Sequence, residues 1–154
     1  LESRHHVDVL AGGQYTFARN VNLVLEYFHS GNGLSRGEWS EFRRMVAFGQ
    51  SELGHADSLP LLQANLQFAP LMMGRDYGFA RLYRLFHHDK LEAELIVLSN
   101  LHDGSSLVRP GIYWKIRPGW SLYWLQGEFV GGAQTEFGHV QVRRLSDFGL
   151  RYYF

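Results

Sequence analysis

Two groups of residues in this chain are equipped for chemistry: eight histidines, and a set of carboxylates and cations spaced among apolar residues. The adjacent pairs His5-His6 and His87-His88 invite a metal reading. Neighbours on a strand point to opposite faces, however, so neither pair can grip one ion, and no metal or cofactor is expected. No glycine-rich phosphate loop, His-Glu-x-x-His helix or nucleophile elbow occurs. His29-Ser30, within Tyr27-Phe28-His29-Ser30-Gly31-Asn32-Gly33, is the one place where a histidine stands beside a nucleophile. On a strand the two side chains diverge, so they cooperate only if a turn begins at His29; Glu26, Glu38 or Asp103 would then orient the imidazole, and none is fixed by spacing. Ser-Gly-Asn-Gly is equally the composition of a plain turn. The remaining charges, Asp8, Glu26, Glu92 and Glu94 against Arg81, Arg109, Lys115, Arg117 and Arg151, alternate with apolar residues and describe a wet surface of both signs.

The elements that must position these residues are strands. Val7, Val9, Ala11, Tyr15 and Phe17 fall on one face opposite Asp8, Gly12, Gln14 and Thr16, and after Ala18-Arg19-Asn20 the residues Val21, Leu23, Leu25 and Tyr27 repeat the period of two. That spacing predicts a hairpin. Residues 76–86 read as a further strand with Arg81 and Arg84 on opposite faces, Arg84 snorkelling and Arg81 pointing to water. Leu91, Ala93, Leu95 and Val97 oppose Glu92 and Glu94; Ile112, Trp114 and Ile116 oppose Arg109, Tyr113, Lys115 and Arg117. The segment 100–106 has turn chemistry, Pro118-Gly119 a tight reversal, and 120–130 a strand whose two faces are both aromatic-rich. The last strand, 145–154, sets Phe148, Leu150, Tyr152 and Phe154 against Asp147, Gly149, Arg151 and Tyr153.

Bulk properties narrow the class. The 154 residues carry a formal net charge of +0 and 45% hydrophobic residues, which gives no basic stripe for nucleic acid. The absence of cysteine excludes a disulfide framework and suits passage through an oxidising compartment. The longest aliphatic run, Leu95-Ile96-Val97-Leu98, is far short of the roughly 18 to 20 apolar residues of a membrane-crossing helix, so any crossing is made by strands. The chain opens at Leu1 without the apolar stretch of a secretory signal, which predicts a processed end or a fragment with more chain upstream.

The ending Asp147-Phe148-Gly149-Leu150-Arg151-Tyr152-Tyr153-Phe154 resembles the β-signal of bacterial outer-membrane proteins: a polar residue, a glycine and alternating hydrophobic residues leading to a final aromatic. The resemblance implies an antiparallel up-and-down transmembrane β-barrel, with 1–154 as its C-terminal portion. Asp147, Gly149, Tyr152 and Phe154 would be read by the outer-membrane assembly machinery, and Phe154 would stand at the periplasmic rim. Alternation from that rim puts the short connections after Phe17, Phe86 and Arg117 inside and the long ones after His29, Asn100 and Val130 outside. It also sorts Phe17, Phe86, Trp114, Trp120, Tyr152 and Phe154 towards one interface, as an aromatic girdle would be. About seven strands are legible where such barrels carry an even number, so at least one strand from an upstream segment or a partner chain is expected to complete the wall.

Residues 30–75 form a connection far longer than ordinary loops. Ser35 with Glu38 fits a capping box before Trp39, Phe42, Met45 and Val46 at helical spacing, and a second start at Asp57 or Ser58, with Pro60 in the first turn, precedes 61–68. Two short helices in an outer loop are predicted, either folded into the lumen or capping the rim. Glu26, Arg81, Glu92, Glu94, Arg109, Lys115, Arg117 and Arg151 would line a polar lumen, which makes a porin-like channel, transport or export barrel the leading expectation. The His29-Ser30 region also resembles the His-x-Ser-Asn region of outer-membrane phospholipases and lipid A deacylases, although here histidine and serine are adjacent; that resemblance implies an outer-membrane acyl hydrolase as the alternative. A soluble ligand-binding β-barrel is the third.

Overall fold

A computed structural model describes residues 6–51, 72–140 and 142–154. Over these residues the chain is all-β, with seven strands in one antiparallel sheet whose spatial order is the sequence order: β1 (Val9–Phe17), β2 (Val21–His29), β3 (Asp76–Phe86), β4 (Leu91–Asn100), β5 (Ser106–Arg117), β6 (Trp120–Val130) and β7 (Arg144–Tyr152). β1 and β7 are the two edges and are not paired with each other. The hairpins expected from the alternation are all present. β5 starts earlier than its pattern suggests, because Pro110, which has no N–H to give, sits within the strand where the pairing with β6 is interrupted between Val108 and Gly111.

One end of the sheet is built from tight turns and the other from longer loops. Ala18–Asn20, 87–90 and 118–119 close the first end; 30–75, 101–105 and 131–143 connect at the second. The tight turns rest on left-handed backbone at Arg19, Asn20, His87, His88, Asp89 and Gly119, the conformation whose twist matches that of the flanking strands. At Gly119 a φ of +80° coincides with an approach in which an added Cβ would stand 2.9 Å from the Tyr153 carbonyl oxygen, so glycine is required twice over.

Register sorts the side chains into two faces with different chemistry. Val21, Leu23, Leu25 and Tyr27 of β2 align with Phe17, Tyr15, Gly13 and Ala11 of β1 and with Arg84, Leu82, Ala80 and Gly78 of β3. The row continues through Ala93, Leu95 and Val97 to Ile112, Pro110 and Val108, then to Trp124 and Leu122 and on to Phe148 and Leu150. On this apolar face the charges Asp76, Arg84, Glu128 and Arg144 stand near strand ends, as does Arg117, which the bulge after Lys115 brings opposite Trp120 and over its ring; Arg84 lies over the Phe86 ring. The register also assigns β6, whose aromatic faces could not be told apart locally: Trp120, Leu122 and Trp124 join the apolar face, Tyr123 and Leu125 the other.

At the middle of the sheet the apolar face is the more exposed one. Ile112 is 43% exposed, Trp114 50% and Phe148 82%, whereas Glu94 is 7% exposed. Among the described residues the buried hydrophobic side chains are Tyr77 and Phe137, under the loops of the second end, where Phe137 stacks on Phe129. Residues of β3 through β7, from Arg81 to Arg151, line one cavity at the tight-turn end of the polar face.

The capping box opens α1 (Arg36–Ser51) as expected: the Ser35 N–H donates to Glu38 Oε2 at 2.8 Å and the Glu38 N–H to Ser35 Oγ at 3.4 Å. Arg36 donates to the His102 carbonyl, Trp39 and Arg43 both donate to the Gln134 carbonyl, and Trp39 meets the His139 ring edge-on. These contacts set the helix on the loops at the sheet's end. The second helix expected at 61–68 lies outside the described residues. No helix among the described residues is long and apolar enough to cross a membrane.

Candidate functional site

The polar face carries a charge network at its middle. Glu94 of β4 pairs across the strands with Tyr83 and Gly111, so its carboxylate lies between β3 and β5. Arg81 Nε donates to Glu94 Oε2 at 2.9 Å, and Arg81 Nη2 reaches the same oxygen at 2.8 Å and Glu92 Oε1 at 3.1 Å. Tyr113 Oη donates to Glu94 Oε1 at 3.2 Å and Arg109 Nη2 approaches it at 3.4 Å. With its side chain only 3% exposed, Glu94 is the acceptor at the centre, and two arginines with a phenol satisfy both its oxygens. Of the residues expected on a wet face, Arg81, Glu92, Glu94 and Arg109 are thus brought together. Tyr113 was not singled out as a partner, although its place two residues from Lys115 puts it on that face.

Lys115, Arg117 and Arg151 gather nearer the tight turns, where they line a cavity of about 780 Å³ with Arg81 and Glu92. Arg151 lies over the Tyr123 ring at 4.4 Å and Arg117 over Trp120 at 5.0 Å. Tyr123 in turn covers Gly149, where a Cβ would come within 2.7 Å of the ring, so the glycine of the C-terminal motif makes room for the tyrosine that supports Arg151. Asp147 is also on this face, while Tyr152 and Phe154 lie on the apolar one with Trp120, at 4.8 Å and 6.2 Å along the ring series Trp120–Tyr152–Phe154. Glu26 stands apart on β2, in register with Gly12 and Phe79. Asp8 precedes β1 and accepts the Gly31 N–H.

His29 and Ser30 are not brought together. His29 Nδ1 lies 2.8 Å from Asp76 Oδ1, which also accepts from Tyr27 Oη at 2.6 Å, while Asp76 Oδ2 is 3.6 Å from His102 Nδ1. The Ser30 N–H donates to the Arg75 carbonyl and so extends the pairing of β2 with the chain before β3. None of Glu26, Glu38 and Asp103 orients His29; Asp76 does, across a β2–β3 pairing that the local sequence does not announce. Among the described residues no group of three histidines or carboxylates could hold a metal ion, and His5 lies outside them.

A second polar cluster ties the loops together. Glu136 accepts from the Met73 N–H at 2.6 Å, from Tyr77 Oη at 2.6 Å and from Asn100 Nδ2 at 2.7 Å, and is 6% exposed. Its own N–H donates to Asp103 Oδ2 at 2.7 Å, and Asp103 Oδ1 accepts from Ser105 Oγ at 2.6 Å. The carboxylate joins three connections: the approach to β3, the β4–β5 loop and the β6–β7 loop. Glu136→Ala would strand the phenol, the amide and a backbone N–H, and is expected to cost about 2–4 kcal/mol on the scale of hydrogen bonds to charged groups. Limited proteolysis checks this, with new cleavage in 131–143 while the strands stay protected; an unchanged digest would mean that Glu136 holds nothing.

The fold and the network define an antiparallel sheet with one largely apolar face and one face that carries a charge network centred on Glu94. Comparison of the chain with protein-family models, with curated proteins and with solved structures finds no match.

Proposed function

We propose that this sheet is part of the wall of a bacterial outer-membrane β-barrel whose polar face lines a passage for small solutes or an exported polymer. The single observation that carries the reading is the inversion of the faces at the middle of the sheet: Leu82, Leu95, Ile112 and Trp124 of the apolar row stand exposed, while Glu94 on the opposite face is buried under Arg81 and Arg109. In water this arrangement forfeits about 1.5–3 kcal/mol for each large aliphatic or aromatic side chain left unburied, and a contiguous exposed patch of this kind invites aggregation. Against hydrocarbon the same row is in its favoured solvent. Charges near strand ends and the aromatic series Trp120, Tyr152 and Phe154 at the tight-turn end fit an interfacial girdle.

A spanning wall leaves no backbone group unpaired in hydrocarbon, so it closes through strands that pair on β1 and β7, from further polypeptide or from a partner chain. β1 favours such pairing: between Val9 and Phe17 it has no charge, no proline and no bulge, the devices that protect a free edge. The C-terminal strand would serve as the recognition element for the assembly machinery, and α1 with the Glu136 cluster would cap the outer rim.

The expected result is that the protein fractionates with the outer membrane and produces stepwise currents in planar lipid bilayers. Recovery as a detergent-free soluble monomer would overturn it. A second reading, acyl hydrolysis at the rim, has one observation in its favour: His29 Nδ1 is held by Asp76, as a histidine base is oriented by a carboxylate. Release of fatty acid from phospholipid or lipid A, lost in both Ser30→Ala and His29→Ala, would select that reading over the channel.

A further inference from the structure

We infer that the cavity at the tight-turn end of the polar face is an oxyanion subsite, which makes the proposed passage selective for solutes bearing phosphate or carboxylate groups. The inference rests on the barrel reading and deepens it. The cavity, about 780 Å³, is lined by Lys90, Lys115, Arg117 and Arg151 together with Arg81. Against these five cations stand two carboxylates, Asp89 and Glu92, and Glu92 is already held by Arg81. Among the described residues Lys90, Lys115, Arg117 and Arg151 form no ion pair, in contrast to the balanced network around Glu94 one layer further along the same face.

Like charges gathered around a cavity repel one another, and a sheet that only needed a filled interior would pair them, as it does at Glu94. Here the supports are aromatic instead: Arg151 lies over the Tyr123 ring and shares side-chain hydrogen bonds with Tyr153 and Tyr123, and Arg117 lies over Trp120, so neutral rings and phenols rather than carboxylates hold both guanidinium groups. Register adds a geometric point. Ser121 lies directly between Lys115 and Arg151 in register, so their backbones stand one strand spacing, about 4.8 Å, to either side of its own. An oxyanion seated over Ser121 would accept from the hydroxyl and from both flanking cations, with the planar guanidinium matched to two of its oxygens.

The test is reversal potential in planar bilayers under a KCl gradient, with calorimetric titration of inorganic pyrophosphate into the detergent-solubilised protein as a measurement independent of conduction. The wild type is expected to prefer chloride over potassium by about threefold or more, as a net cationic constriction does. The Lys115→Gln/Arg117→Gln/Arg151→Gln variant should bring the ratio to near one and abolish pyrophosphate binding. The single variant Lys115→Gln, which removes one charge and little volume, should fall between. Arg84→Gln, which removes a cation from the opposite face, should leave the ratio unchanged. An open channel without anion preference, or a preference that survives the triple variant, overturns this inference and leaves the channel reading standing. Pyrophosphate binding without any current overturns the channel reading and leaves the oxyanion site standing. Neither current nor binding overturns both.

Discussion

Ile112→Arg is expected to destabilise the protein in phospholipid vesicles by about 2–4 kcal/mol, the penalty for a cation near the midplane on a lipid-facing strand position. Ile112 lies near the middle of β5, flanked in register by Ala93 and Trp124, with no charged residue beside it on that face. An arginine there must either stay in hydrocarbon or bend towards an interface already occupied by Trp114 and Ile116. Urea unfolding followed by tryptophan fluorescence in vesicles reads the difference. The opposite expectation holds for a face in water, where an exposed isoleucine to arginine change stays within about 0.5 kcal/mol and improves solubility. A neutral result in lipid would falsify the outward assignment of the whole row, because period two moves every residue of β5 together.

Glu94→Ala should cost about 1–3 kcal/mol, since it removes the shared acceptor of two arginines, leaving Arg81 with Glu92 alone and Arg109 without a carboxylate at sites open in part to water. The closer partner, Arg81, is held through both Nε and Nη2, whereas Arg109 has the longer contact and a buried Nε with no partner among the described residues. The loss should therefore couple chiefly to Arg81. A double-mutant cycle of Glu94→Ala with Arg81→Ala is expected to show an interaction of about 1–3 kcal/mol, and Glu94→Gln, which keeps an acceptor without the charge, should lie between wild type and alanine. Strict additivity of the two alanine variants would mean that the network is an incidental contact.

Strand positions were legible because period two and turn chemistry are local. The hairpin over Ala18–Asn20, the reversal at 118–119 and the capping box at Ser35 and Glu38 each sit within a few residues and match the structure closely. The start of β5 was not legible: Ser106 resembles turn composition and Pro110 resembles a breaker, and only pairing with β4 on the other side makes a strand of them. Sidedness of β6 failed for a related reason, since aromatic residues on both faces carry no period and the answer comes from register with β5. The partners that join distant segments were invisible. Asp76 meets His29 and Glu136 meets Tyr77 through long-range pairing and loop packing, and no spacing within either segment encodes them. The polar network was half legible: alternation placed Arg81, Glu92, Glu94 and Arg109 on one side, but their joint convergence on Glu94 depends on which rungs face each other.

The neighbour-only order of the strands has a consequence for how such a chain can change. Each strand pairs only with the strands before and after it in the chain, and all but the β2–β3 and β6–β7 pairings span a short connection. Duplicating or deleting one hairpin leaves all other rungs intact and alters only the breadth of the sheet. In the proposed barrel, pore width would thus be a quantity that genetic insertion adjusts in two-strand steps, without redesigning a single existing contact between neighbours.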